Sequence, residues 1–135
     1  ALYAGGDYDR IAADPSLFYF YGGLKPGKTT KELEDALYAE IERLKTEPAV
    51  DRELEKAKNQ IEASFIFAQD SIFYQAMQIG QLETIGIGHK YLDTYVDNIR
   101  RVTKEDIMRV AKAYFAEKNR TAGILIPVKS NGKGQ

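Results

Sequence analysis

Apolar positions in the first 28 residues fall into short runs separated by turn residues. Residues 1–14 contain Gly5-Gly6-Asp7-Tyr8-Asp9 and predict a short strand leading into a loop, with Asp7 and Asp9 as turn formers beside glycine. Asp14-Pro15-Ser16 is turn chemistry, because proline fixes φ. The run Leu17-Phe18-Tyr19-Phe20-Tyr21 is too short and too aromatic for a helix and predicts a buried strand that Gly22-Gly23 bulge or end. Lys25-Pro26-Gly27 is a further turn.

From Thr29 the period changes. Thr29-Thr30-Lys31-Glu32 is a capping box, and Leu33, Leu37, Ile41 and Leu44 follow on one helical face until Pro48 stops it. Asp51 predicts the cap of a second helix, with Glu53 and Glu55 at its positive end. Leu54, Ala57, Ile61, Phe65 and Ala68 keep the helical spacing. Phe65–Ala68 and Ile72–Tyr74 then leave almost no polar face, which predicts burial. Gln69-Asp70-Ser71 interrupts, so the segment reads either as one kinked helix reaching about Ile85 or as two helices meeting near Ser71. Gly86-Ile87-Gly88 ends it. Tyr91, Leu92, Tyr95, Val96 and Ile99 mark another helix. Thr103 opens the last one, with Val102 and Ile107 at staple spacing, Ile107, Val110, Ala111 and Tyr114 facing inward, and Asn119 as its stop. Thr121–Val128 predicts a closing strand. The expected domain spans residues 1–129, and residues 130–135 read as a flexible tail. Two strands, four or five helices and a strand imply an α+β fold: a mainly antiparallel sheet with several helices packed on one face.

Composition narrows the classes of function. In a chain of 135 residues, 44% hydrophobic and 29% charged residues are the balance of one folded domain, not of a disordered segment. No apolar run approaches the ~20 residues of a membrane helix, so no membrane partner is expected. The opening Ala1-Leu2-Tyr3, without methionine, predicts a piece of a longer polypeptide. The chain has no cysteine, which removes disulfide scaffolds, thiol chemistry and cysteine-based zinc sites. Its one histidine, His89, reads as a hydrogen-bonded loop residue beside Gly86 and Gly88.

Charge is uneven. Residues 1–99 hold 10 Lys/Arg and 17 Asp/Glu, whereas residues 100–135 hold 9 and 3. The basic residues of the second part are dispersed at helical spacing, and the net charge is -1. A solvated face is therefore preferred over a nucleic-acid surface, and no nucleic-acid partner is expected. No phosphate loop, dinucleotide fingerprint or nucleophile elbow occurs. Asn119-Arg120-Thr121 fits the short glycosylation pattern. The carboxylates of the first two helices read as surface charge paired with Lys45, Lys56 or Lys58.

Seven segments, in order over nearly the whole chain, carry a resemblance. They are Asp14–Phe18 with Lys25–Thr29; Glu53–Lys58; Gln69-Asp70-Ser71 with Gln75-Ala76; Tyr91-Leu92-Asp93; Ile99–Ile107; Val110–Phe115; and Asn119–Gly123 with Ile126-Pro127. Together they resemble the second half of a module of the pitrilysin/insulinase-type zinc metallopeptidases, which include the mitochondrial processing peptidases. The resemblance implies a half-module of the processing-peptidase-like metallohydrolase fold. It also implies a parent enzyme that cleaves peptide bonds with zinc-activated water inside a chamber of two modules. The family signature of His, two spacers, Glu and His is missing here, so no cofactor is expected in this chain. Zinc in the parent would be held by upstream residues, and the chain alone should be inactive.

What the resemblance implies for this chain is a scaffold and chamber wall, with no catalytic or metal-binding residue of its own. Tyr3, in Ala1-Leu2-Tyr3-Ala4-Gly5, looks like a family tyrosine that contacts the substrate carbonyl and donates to its developing oxyanion. Expected partners are the upstream half-module, the second module and a peptide substrate, with self-association of the isolated piece through exposed sheet edges or apolar surface. Two other readings stand beside this one. One is a non-catalytic superfamily member acting as a binding or structural partner subunit. The other is an unrelated α+β module whose basic end meets an anionic ligand.

Overall fold

A computed structural model describes residues 1–126. Strand β1 (Tyr3–Tyr8) pairs antiparallel with β2 (Phe18–Gly23), and five helices follow. They are α1 (Thr30–Thr46), α2 (Asp51–Ala68), α3 (Ile72–Thr84), α4 (Tyr91–Arg101) and α5 (Lys104–Tyr114). A short 3₁₀ turn covers Glu117–Asn119. The α+β architecture is the expected one. Among the described residues the sheet has two strands. The register sets Tyr3 opposite Gly23, Gly5 opposite Tyr21 and Asp7 opposite Tyr19. Directly opposed residues share a face, so these six form one face, while Ala4, Gly6, Tyr8, Phe18, Phe20 and Gly22 form the other.

The second face packs on helices. A Cβ on Gly22 would stand 3.2 Å from Leu33 of α1. Phe18 and Phe20 meet the ring of Phe115, just past α5, edge-on at centroid distances of 5.1 and 5.2 Å. The alternation of Phe and Tyr in β2 is thus a period-2 pattern with Phe turned to the helices and Tyr to solvent. Among the helices, α1 packs mainly on α5 and α2 on α4.

Helix boundaries follow local hydrogen bonding. The Thr29 hydroxyl accepts from the Glu32 amide at 3.2 Å, and the Glu32 carboxylate accepts from the Thr29 amide at 2.8 Å. Thr103 and Asp106 form the same reciprocal pair, each bond 3.1 Å long. The chain breaks at residues 69–71, and the Ser71 hydroxyl caps α3 by accepting from the Tyr74 amide at 3.2 Å. After α3 the Leu82 carbonyl accepts from both Ile87 and Gly88, a reversal that needs positive φ at Gly86 and Gly88.

Several expectations are corrected. Val50, not Asp51, occupies the cap position of α2, and Asp51 is its first helical residue. Helix α5 ends at Tyr114, and Asn119 belongs to the short turn beyond it. Asp7 lies inside β1, whereas Asp9 does form a turn, its carboxylate accepting from the Ile11 amide at 2.9 Å. On α5, Ala111 is buried and Ile107 half-buried, but Val110 and Tyr114 are exposed. The closing strand is absent over residues 121–126, which pair with nothing and expose Ile124, Leu125 and Ile126; residues 127 and 128 lie outside the described residues, as does the tail at 130–135.

The largest correction concerns burial at the α2–α3 junction. Phe67 is 75%, Ile72 85% and Phe73 79% exposed, although the apolar run predicts burial. The apolar residues that are buried are few: Leu82, Tyr95 and Ala111. Periodicity reports how apolar a face is, not whether anything covers it. No helix among the described residues is long and apolar enough to cross a membrane.

Candidate functional site

Tyr3 opens β1 on the solvent-facing side of the sheet. Its ring lies across Gly23, where a Cβ would collide with it. Two positions on, the arrangement is mirrored: a Cβ on Gly5 would stand 2.7 Å from Cζ and from the hydroxyl of Tyr21. Glycine is needed at both places because the aromatic ring occupies the volume of the missing side chain. Each ring therefore lies close against the opposite strand and keeps much of its surface in water: Tyr3 is 60% and Tyr21 51% exposed. Tyr19, 57% exposed, completes a row of three phenols, and Asp7 faces it across the strands. Asp7 is the one charged residue in either strand, and its Oδ1 accepts from the Tyr8 amide at 3.0 Å. Among the described residues, the Tyr3 hydroxyl makes no hydrogen bond. Tyr19 and Tyr21 were not singled out from sequence, although the Phe/Tyr alternation carried the signal.

His89 does not join this face. Its Nδ1 lies 2.6 Å from Glu83 Oε1, and its amide donates to the same oxygen at 2.8 Å. The bond from the His89 amide, with that from its ring, holds the Glu83 carboxyl below its usual range. The histidine closes the turn between α3 and α4, and its metal-binding capacity stands alone. No group of three His, Cys, Asp or Glu residues fit to hold a metal ion occurs among the described residues.

Charged side chains on the helices are mostly paired along the surface, as between Lys45 and Glu42 at 2.5 Å and between Lys31 and Asp35 at 2.7 Å. One group is partly buried. Lys58 of α2 donates to the Arg100 carbonyl at the end of α4, at 3.1 Å, and to Glu55 at 3.3 Å. The Arg100 guanidinium in turn pairs with Glu62 and donates to Asn59 at 3.1 Å. Two other guanidinium groups lie over tyrosine rings: Arg10 over Tyr95 at 4.8 Å and Arg120 over Tyr38 at 3.9 Å. Beneath the sheet, an open groove of about 580 Å³ runs between β2 and α5, lined by Phe20, Leu44, Ile107, Val110 and Phe115.

Two solved structures share this architecture. One is a chain assigned as a zinc protease from Bordetella pertussis Tohama I. It superposes with a TM-score of 0.79 at 25% identity, over 93% of this chain and 68% of that one. The other is the inactive peptidase domain of a protein assigned as a zinc protease from Bordetella parapertussis. Its TM-score is 0.82 at 24% identity, over 96% of this chain and 68% of that one. No family model matches the chain, and no curated protein matches it.

Proposed function

From the premise of a chain in the pitrilysin-type zinc protease family, we propose that it is the non-catalytic C-terminal half of a metallopeptidase module. In this reading it serves as scaffold and substrate-chamber wall. The observation that carries the reading is the joint placement of two features. Among the described residues no group of side chains fit for a metal ion is assembled, while the solvent-facing side of the sheet presents an exposed Tyr3 lying against Gly23. The zinc of the parent enzyme belongs to residues upstream of this segment. What this chain contributes is surface and one donor. An extended peptide pairs with an open strand edge, and the Tyr3 phenol, fixed over Gly23, donates a hydrogen bond to the carbonyl oxygen as negative charge grows on it. Because the ring already rests on the opposite strand, little rotamer freedom is lost when the bond forms.

The upstream half-module is the natural cover for the exposed apolar junction of α2 and α3, and an isolated piece associates with itself through the same surface. The test uses the full parent polypeptide. Its zinc content is measured, and cleavage of a quenched fluorescent peptide is followed with and without a chelator. Stoichiometric zinc and chelator-sensitive cleavage are expected. Tyr3→Phe is then expected to lower kcat by about 10²-fold, the effect of losing one oxyanion donor. Cleavage unchanged by Tyr3→Phe would remove the donor role.

A second reading, a non-catalytic partner subunit, is favoured by one observation: one of the structural relatives is an inactive peptidase domain. A parent without zinc and without cleavage would establish that reading in place of the first.

A further inference from the structure

We propose that the outward face of the β1–β2 hairpin is a platform for a basic side chain, Arg or Lys, of an extended peptide. The platform rests on the chamber-wall reading and adds to it the chemistry that the wall selects. Its parts are Tyr3, Tyr19, Tyr21 and Asp7.

Glycine lets the rings settle close to the strands. On an ordinary sheet face, aromatic rings stand beside neighbouring side chains that cover them. Here Gly23 and Gly5 let the rings of Tyr3 and Tyr21 lie against the backbone of the opposite strand. Each ring also remains more than half exposed to solvent. A tyrosine ring face carries partial negative charge and attracts a cation placed over it.

The sign of the charge decides the ligand. Asp7 is negative, stands opposite Tyr19 and is the one charged group in either strand. An acidic ligand would be repelled by it. A purely apolar ligand would take the carboxylate out of water without a partner, which is unfavourable. A guanidinium or ammonium group satisfies both the rings and the carboxylate. Neither strand carries a cation, and Arg10, three residues past Asp7, is engaged over Tyr95. The same pairing of guanidinium with tyrosine occurs twice within this chain, at Tyr95 and at Tyr38. Peptide geometry fits as well. Among the described residues neither edge of the two-stranded sheet is paired, and a strand added to one of them turns alternate side chains onto this face.

The test is a titration of the unaltered chain, followed by its amide resonances. The ligands are three end-capped pentapeptides of sequence Thr-Val-X-Val-Thr, with X arginine, norleucine or glutamate. The arginine peptide is expected to bind about fivefold more tightly than the norleucine peptide, the worth of an exposed cation over an aromatic ring. Shifts should be confined to residues 3–8 and 18–23. The glutamate peptide should bind most weakly, and added salt should narrow the differences. Tyr19→Leu and Asp7→Asn should each erase part of the preference for arginine. The peptide series needs no variant, so a folding defect in either one leaves the test intact.

Equal binding of the arginine and norleucine peptides overturns the proposal, as does the absence of binding or shifts centred on α5. Self-association that Asp7→Asn abolishes would assign the face to the basic helices of a second copy and would also overturn it. Failure here with chelator-sensitive cleavage intact in the parent removes the platform alone. Arginine-selective binding without cleavage removes the peptidase reading and leaves a peptide-binding face.

Discussion

Replacing Lys58 by methionine tests how α2 and α4 are held together. Lys58 is 9% exposed, and its ammonium group donates to the Arg100 carbonyl. That carbonyl belongs to the last turn of α4, where backbone oxygens have no partner within the helix. Methionine keeps the apolar stem and removes the donor. The loss has two parts. A hydrogen bond from a charged group contributes ~1.5–3 kcal/mol, and a cation at the negative end of a helix adds ~0.3–1 kcal/mol. Against this, the ammonium no longer has to be desolvated, which offsets part of the loss. The expected net cost is about 2 kcal/mol, or a fall in midpoint temperature on the order of 5–10 °C for a domain of this size. The assay is urea unfolding followed by far-ultraviolet circular dichroism. Lys56→Met, an exposed change on the same helix, is the control and should stay within about 0.5 kcal/mol. If Lys58→Met cost no more than this control, the bond from Lys58 to the Arg100 carbonyl would contribute nothing to holding α2 on α4.

Other outcomes follow from the caps, the core, the acid response and the glycine beneath Tyr3. Thr103→Ala should cost ~1 kcal/mol in thermal unfolding, since its hydroxyl and backbone amide both serve the start of α5. Leu82→Ala, at the largest fully buried side chain, should cost ~3 kcal/mol or more in the same urea series. Glu32, Glu83 and Asp106 are all held below their ordinary values, first by the Lys28 side chain, the His89 amide and the Arg109 side chain respectively. A depressed carboxyl stabilises the fold above its unfolded value and loses that effect as pH falls through the folded one. Helix content should therefore drop on acidification through and below the ordinary carboxyl range. Glu32→Gln should flatten that profile; an unchanged profile would show that the Thr29 box is not part of it. Gly23→Val should lift the Tyr3 ring off β2, so peptide cleavage by the parent falls as in Tyr3→Phe while the helical signal persists.

What was legible in the sequence was whatever one turn of chain decides. Thr29 with Glu32, Ser71 and Thr103 with Asp106 announce helix starts because donor and acceptor lie three residues apart. The break before Ser71 and the glycine stop after Ile85 belong to the same class. Burial was not legible, because Phe67, Ile72 and Phe73 have the composition of a core without a covering surface in this structure. Over residues 121–126 the predicted strand does not form for a related reason: β-propensity needs a partner strand, and these residues find none among the described ones. For the candidate site, Tyr3 came from resemblance rather than from its own surroundings. Its setting depends on Gly23, twenty residues away, and only the register brings the two together.

The pairing of α1 with α5 and of α2 with α4 is nested, with α3 at the turn of the nest. Nesting separates the chain into an inner and an outer closure. The outer one also carries the hairpin, through Phe18, Phe20 and Phe115. The inner one is tied by Lys58 and Arg100. Amides of α2 and α4 are thus expected to exchange with solvent as one cooperative group and those of α1, α5 and β2 as another. Faster exchange in the outer group than in the inner would mark the hairpin side as the part that opens first.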